Sequence, residues 1–183
     1  MRKLLFFDYF ISQLISFITS ETFISGDIAL AVKNNIDRAN LNKLKLLKLL
    51  FLVSTIKEKD KYLLDDVFDN FYAMPYGPVE SDIYDNLESL PNYRFINNTI
   101  NVKTNASFKY SNIDFDKQER IKQSIKKLHE LNFAIFSMSA FELVELTHKS
   151  ESWQIIYSEA NRKGRLSLKM PNELIKGTVV FYK

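Results

Sequence analysis

Cysteine is absent from the 183-residue chain, which excludes disulfide frameworks, thiol nucleophiles and cysteine-based zinc sites together. Histidine occurs twice, at His129 and His148, too few for most catalytic zinc sites, which draw on three protein ligands. Glycine occurs four times, at Gly26, Gly77, Gly164 and Gly177. No two of these are close enough to build a phosphate-cradling loop, so the P-loop and dinucleotide fingerprints are excluded. No apolar run reaches the roughly 18 residues of a membrane-spanning helix. Met1-Arg2-Lys3-Leu4-Leu5-Phe6-Phe7 opens like a secretion signal, but Asp8 ends its apolar run at four residues. A signal h-region needs about 7–15 residues, so a cytoplasmic protein is expected.

What remains is an ordinary globular composition, 46% hydrophobic, 14% aromatic and 26% charged. That apolar fraction is too high for disorder. The length suits one domain that buries roughly 70% of its unfolded surface.

Helical spacing dominates the pattern. Leu4, Phe7, Ile11, Leu14 and Ile18 predict an amphipathic N-terminal helix. A second helix opens at Ser25 or Gly26, with Ile28, Val32 and Ile36 on one face. Residues 41–56 are apolar nearly all round, broken only by a polar stripe of Lys45 and Lys48, as in a helix buried at the centre of a fold. Residues 62–72 read as another helix, with Leu63, Val67, Phe68 and Phe71 inward. Met74-Pro75-Tyr76-Gly77-Pro78-Val79 is a rigid joint, with Pro78 suited to the first turn of a helix that stops before Pro91.

Tyr93-Arg94-Phe95-Ile96 and Ile100-Asn101-Val102-Lys103 flank an Asn-Asn-Thr turn, a hairpin to which 107–110 could add a third strand. Asp114 or Asp116 caps a helix with Ile121, Ile125 and Leu128 inward and Lys117, Arg120, Lys122, Lys126 and Lys127 in solvent. Ser137 or Ser139 caps the next helix, 140–148, with Phe141, Val144 and Glu145 continuing its pattern. Trp153, Ile156 and Tyr157 mark a short helix, and 178–182 a terminal strand.

The net charge of +3 (25 basic against 22 acidic residues) conceals an uneven layout. Residues 33–61 carry eight basic and three acidic side chains, 62–90 seven acidic and no basic ones, and 149–183 seven basic and three acidic. Such a layout suits a protein partner of complementary potential. The carboxylates of 65–88 could pair for Mg²⁺-dependent hydrolysis of a nucleic acid or other substrate, and the basic stretches could bind DNA, although no recognised nucleic-acid motif occurs. His148, at a helix end, favours the dipole there, and Trp153 suits a core position.

Three blocks in order resemble one family. Leu44-Lys45-Leu46-Leu47-Lys48-Leu49-Leu50-Phe51 is similar to its leucine-rich helix. Met74-Pro75-Tyr76-Gly77-Pro78-Val79 with Ile83-Tyr84 is similar to its Tyr-Gly-Pro-Val joint, and Glu142-Leu143-Val144-Glu145-Leu146-Thr147-His148 with Trp153 to its Glu-Leu-x-Glu-Leu-Thr-His block. The family is the Panacea domain family of SocA-like antitoxins, also known as a phage-associated domain. Met74-Pro75 departs from its usual pattern.

The resemblance implies a mainly α fold with a small β-hairpin or meander (α+β), a single compact domain around the buried Leu-rich helix. It divides the chain into an N-terminal helical extension, 1–25, and the Panacea-like domain, 26–183. It implies the antitoxin of a type II toxin–antitoxin pair, bacterial or prophage-encoded, which neutralises a neighbouring-gene toxin by direct binding. One branch of the family delivers its toxin to a Clp protease. No catalytic, cofactor or metal residues are expected. Tyr76, Gly77, Pro78, Val79, Tyr84, Thr147, His148 and Trp153 are the motif and candidate partner-binding positions.

Overall fold

The computed structural model describes residues 2–19, 39–178 and 181–182. Its helices are α1 (Arg2–Thr19), α2 (Lys43–Ser54), α3 (Ser81–Tyr84), α4 (Phe115–Leu131), α5 (Ala140–His148), α6 (Glu151–Arg162) and α7 (Asn172–Gly177). Strands β1 (Phe71–Met74), β2 (Gly77–Glu80) and β5 (Leu168–Lys169) form an antiparallel sheet in the order β2-β1-β5. Strands β3 (Tyr93–Ile96) and β4 (Thr99–Val102) form a separate hairpin. The chain is thus α+β and mainly helical, as expected. No helix among the described residues is long and apolar enough to cross a membrane.

Local chemistry sets the boundaries. The Asn42 side chain caps α2, Asp114 caps α4, and Ser139 with Glu142 forms a reciprocal capping box on α5. Asn97 and Asn98 both take positive φ (49° and 64°), as a two-residue type I′ hairpin turn requires.

Helix α2 packs against α4, α5 and β2, and Leu46, Leu49, Leu50, Phe51, Leu52 and Val53 are fully buried. Helix α1 enters the same core through Phe7, Phe10, Ile11, Leu14 and Ile15. Asp8, on that helix, is buried too. A buried carboxylate must have its lone pairs filled, and Asn92 donates to it from its backbone (2.9 Å) and its amide (2.6 Å), Tyr110 from its hydroxyl (2.7 Å). Burial raises the Asp8 pKa, opposed by these donors. The residue that interrupts the signal-like run therefore ties α1 to the β3–β4 region.

Several expectations are corrected. Residues 62–72 form a single 3-10 turn (Leu63–Asp65) and then β1, although Leu63, Val67, Phe68 and Phe71 are buried. The joint is a β-hairpin: Met74 pairs with Gly77, leaving Pro75 and Tyr76 as the turn. Pro78 lies in β2, an edge strand where a missing N–H is tolerated. Helix α2 is buried as expected, and its polar stripe goes in with it: Lys45 and Lys48 are 4% and 0% exposed. Arg120 is buried as well, bonding the Asp66 carboxylate at 2.6 Å and the Tyr62 carbonyl at 3.1 Å. The inward face of α5 is Leu143, Val144, Leu146 and Thr147, which leaves Phe141 and Glu145 exposed. Residues 107–110 form no strand. The second helix, from Ser25 or Gly26, lies outside the described residues, as does part of the 178–182 strand; Phe181 and Tyr182 are not in one.

Candidate functional site

The three sequence blocks meet in space. Lys48, from the middle of α2, sends its amine into the hairpin and donates to the Pro78 carbonyl at 2.8 Å. Gly77, at φ +90°, lets the strand approach that closely: a Cβ there would lie 2.7 Å from Thr147 Oγ1 and 3.1 Å from Lys48 Nζ. Thr147 itself is buried on α5, its hydroxyl donating to the Val144 carbonyl at 3.0 Å. Burial pushes the Lys48 pKa down to about 7, so the amine approaches neutrality at physiological pH.

An aromatic stack supports the other side of the turn. His148 lies flat on Trp153 (4.0 Å between centroids, 9° between planes), and Trp153 on Tyr157 (4.8 Å, 14°). The Trp153 indole N–H donates to the Met74 carbonyl at 3.0 Å. Burial lowers the His148 pKa, with the positive charge of Lys48 acting the same way and Glu145 opposing. Val79 is buried within β2. Gly77, Pro78, Thr147, His148 and Trp153 therefore hold the turn from beneath, and Val79 joins that support to the surface above it.

Above this support lies an open groove of about 600 Å³. Leu44, Leu47, Met74 and Val79 line it, and Tyr76 (62% exposed), Tyr84 (41%) and Phe141 (68%) stand around it. Lys43 Nζ sits 4.4 Å from the centre of the Tyr84 ring, a cation–π contact that steadies both side chains.

A scan against protein-family models matches the SocA-like antitoxin, Panacea domain, over residues 46–154. The chain belongs to that family. Searches of curated proteins and of solved structures returned no match. The Panacea match takes in Lys48, the hairpin and the His148–Trp153 stack, and it ends before α6 does.

The acidic stretch is mostly paired within the molecule. Asp69, Glu80 and Asp82 converge, but on the ammonium of Lys3, at 2.6, 2.7 and 2.5 Å. Burial alone would lower the pKa of Lys3; its bonds to the three carboxylates raise it. Asp65 pairs with Lys176 at 2.9 Å, and Asp66 with Arg120 and Lys117. In the basic stretch 33–61, Lys45 and Lys48 are buried, and Lys33 and Arg38 lie outside the described residues. Along the acidic stretch, most of the charge is thus met by basic side chains from elsewhere in the chain.

Lys43, Lys48 and Phe141 belong to this site and are not among the positions expected from the sequence to bind a partner. A lysine amid apolar neighbours on every face of a helix was the available signal for Lys48. For Phe141 it was the Ser139–Glu142 capping pair, which sets the phase of α5.

Two outcomes test the support. Gly77→Ala combines a disfavoured φ with a close contact and lowers stability by about 2–3 kcal/mol in denaturant unfolding. Adding Thr147→Ala removes the nearer contact and recovers part of that loss beyond additivity; a strictly additive pair contradicts the packing. Lys48 has a folded pKa near 7 and an unfolded one near 10.5. Its depressed pKa means that stability is lowest below pH 7 and grows as pH rises from 7 to 9, by up to about 1.4 kcal/mol per unit. Above pH 10 the raised pKa values of Tyr93 and Tyr110 act in the opposite sense. Lys48→Met flattens the rise between pH 7 and 9, and an unchanged slope in that variant contradicts the assignment.

Proposed function

We propose that this chain is the antitoxin of a two-gene toxin–antitoxin pair and that it neutralises the toxin encoded beside it by direct binding. Membership of the SocA-like antitoxin, Panacea domain family carries the reading. The form of the site supports it: the motif residues hold a turn in place, and aromatic side chains stand exposed above them. Tyr and other aromatics are enriched at binding hot spots, and a pre-organised backbone lowers the entropy lost on association. Tyr76 and Tyr84 are the partner-facing members of the motif set, and Gly77, Pro78, Val79, Thr147, His148 and Trp153 its support. The chain thus works as a binding protein and not through bond chemistry. Asp69, Glu80 and Asp82 converge as Mg²⁺ ligands would, but the Lys3 ammonium stands among them in the place of the cation, so the hydrolase reading is the weaker one.

Induction of the neighbouring gene alone in a heterologous bacterium arrests growth, and co-expression of this chain restores it, with the two proteins co-purifying. A harmless neighbour, or one that stays toxic when paired, contradicts the reading. Toxin that persists in complex marks sequestration. Toxin that disappears in wild-type cells but persists in a strain lacking the Clp protease marks delivery.

A further inference from the structure

We propose that the groove between α2, the β1–β2 turn and α5 is the toxin-binding site, and that it receives an apolar segment of the toxin carrying a carboxylate that pairs with Lys43. The inference rests on the antitoxin reading and deepens it. Three features of the groove argue for a protein occupant. Its lining is dominated by apolar side chains, Leu44, Leu47, Met74 and Val79 among them. Phe141, Tyr76 and Tyr84 expose large apolar surfaces around one opening, and a continuous exposed patch of this kind marks an interaction surface. The turn that carries Tyr76 is held by Lys48 from one side and Trp153 from the other, so it is ordered before any partner arrives.

Charge specifies the occupant further. Lys43 is the one charged side chain lining the groove among the described residues, and it makes no ion pair among them. Its ammonium rests on the Tyr84 ring at 4.4 Å. A carboxylate brought in beside an otherwise apolar segment would be partly desolvated on binding, and Lys43 is placed to compensate it. A basic segment would instead bring a like charge against Lys43 with no carboxylate in the groove lining to offset it.

The test uses the full chain and the purified product of the neighbouring gene in a catalytically inactive form, with affinities measured by calorimetry. Phe141→Asp, at an exposed position, weakens binding on the order of tenfold or more while thermal unfolding is unchanged. Phe115→Asp, equally exposed but outside the groove, binds like wild type. Lys43→Glu weakens binding on the order of tenfold, and Lys43→Met makes the affinity less dependent on salt. Among Asp→Lys and Glu→Lys variants of the toxin, one restores binding to Lys43→Glu. Wild-type affinity in a folded Phe141→Asp overturns the groove. Wild-type affinity in Lys43→Glu, or no restoring toxin variant, overturns the carboxylate. Absence of any binding by the wild-type chain instead overturns the antitoxin reading on which both rest.

Discussion

A lysine amine in the middle of a buried, nearly all-apolar helix donates to one backbone carbonyl of a hairpin, and the geometry around it depends on that bond. A fully buried amine without an acceptor would be costly, so the Pro78 carbonyl has to stay within reach of Lys48 Nζ. The strand can come that near only because residue 77 has no side chain, and Thr147 closes the remaining space. Moving any one of the three shifts the turn. The family's leucine-rich helix, its Tyr-Gly-Pro-Val joint and its Thr-His block are separate in sequence, and this contact makes them one structural unit.

The arrangement has two levels. Below, Lys48, Gly77, Pro78, Thr147, His148 and Trp153 are packed against one another and fix the path of the turn. Above, that packing holds the turn that carries Tyr76, and Tyr84, Phe141 and Lys43 stand around the same groove from neighbouring helices. The lower level accounts for why the family blocks contain a lysine, a glycine and a histidine in otherwise apolar surroundings. The upper level is where a partner would be read, and its residues can change without disturbing the fold.

Much of this was legible in the sequence for a physical reason. The β3–β4 hairpin was marked by Asn97-Asn98, residues that tolerate positive φ, and α4 and α5 by side chains able to cap them. Burial of α2 followed from its apolar circumference. Residues 62–72 carry a helical spacing at Leu63, Val67 and Phe71, while the partners that make 71–74 a strand, β2 and above all Leu168–Lys169, are set by tertiary pairing. The fate of Lys48 depended on a carbonyl 30 residues away. Phe141 followed the apolar spacing of α5, yet the face buried against α2 was set by Leu143, Leu146 and Thr147. In the acidic stretch composition revealed the charges but not Lys3, which gathers three of them.

The proposed site requires a fixed support, built by the family blocks, beneath a groove that the toxin covers. Amide hydrogen exchange, followed on this chain alone and in complex with the product of the neighbouring gene, tests it most directly. Strong protection is expected around Thr147 and Lys48 in both states, with new protection on binding at 42–47, 74–76 and 140–141. Unchanged exchange in those three segments, with new protection elsewhere on the molecule, would contradict it.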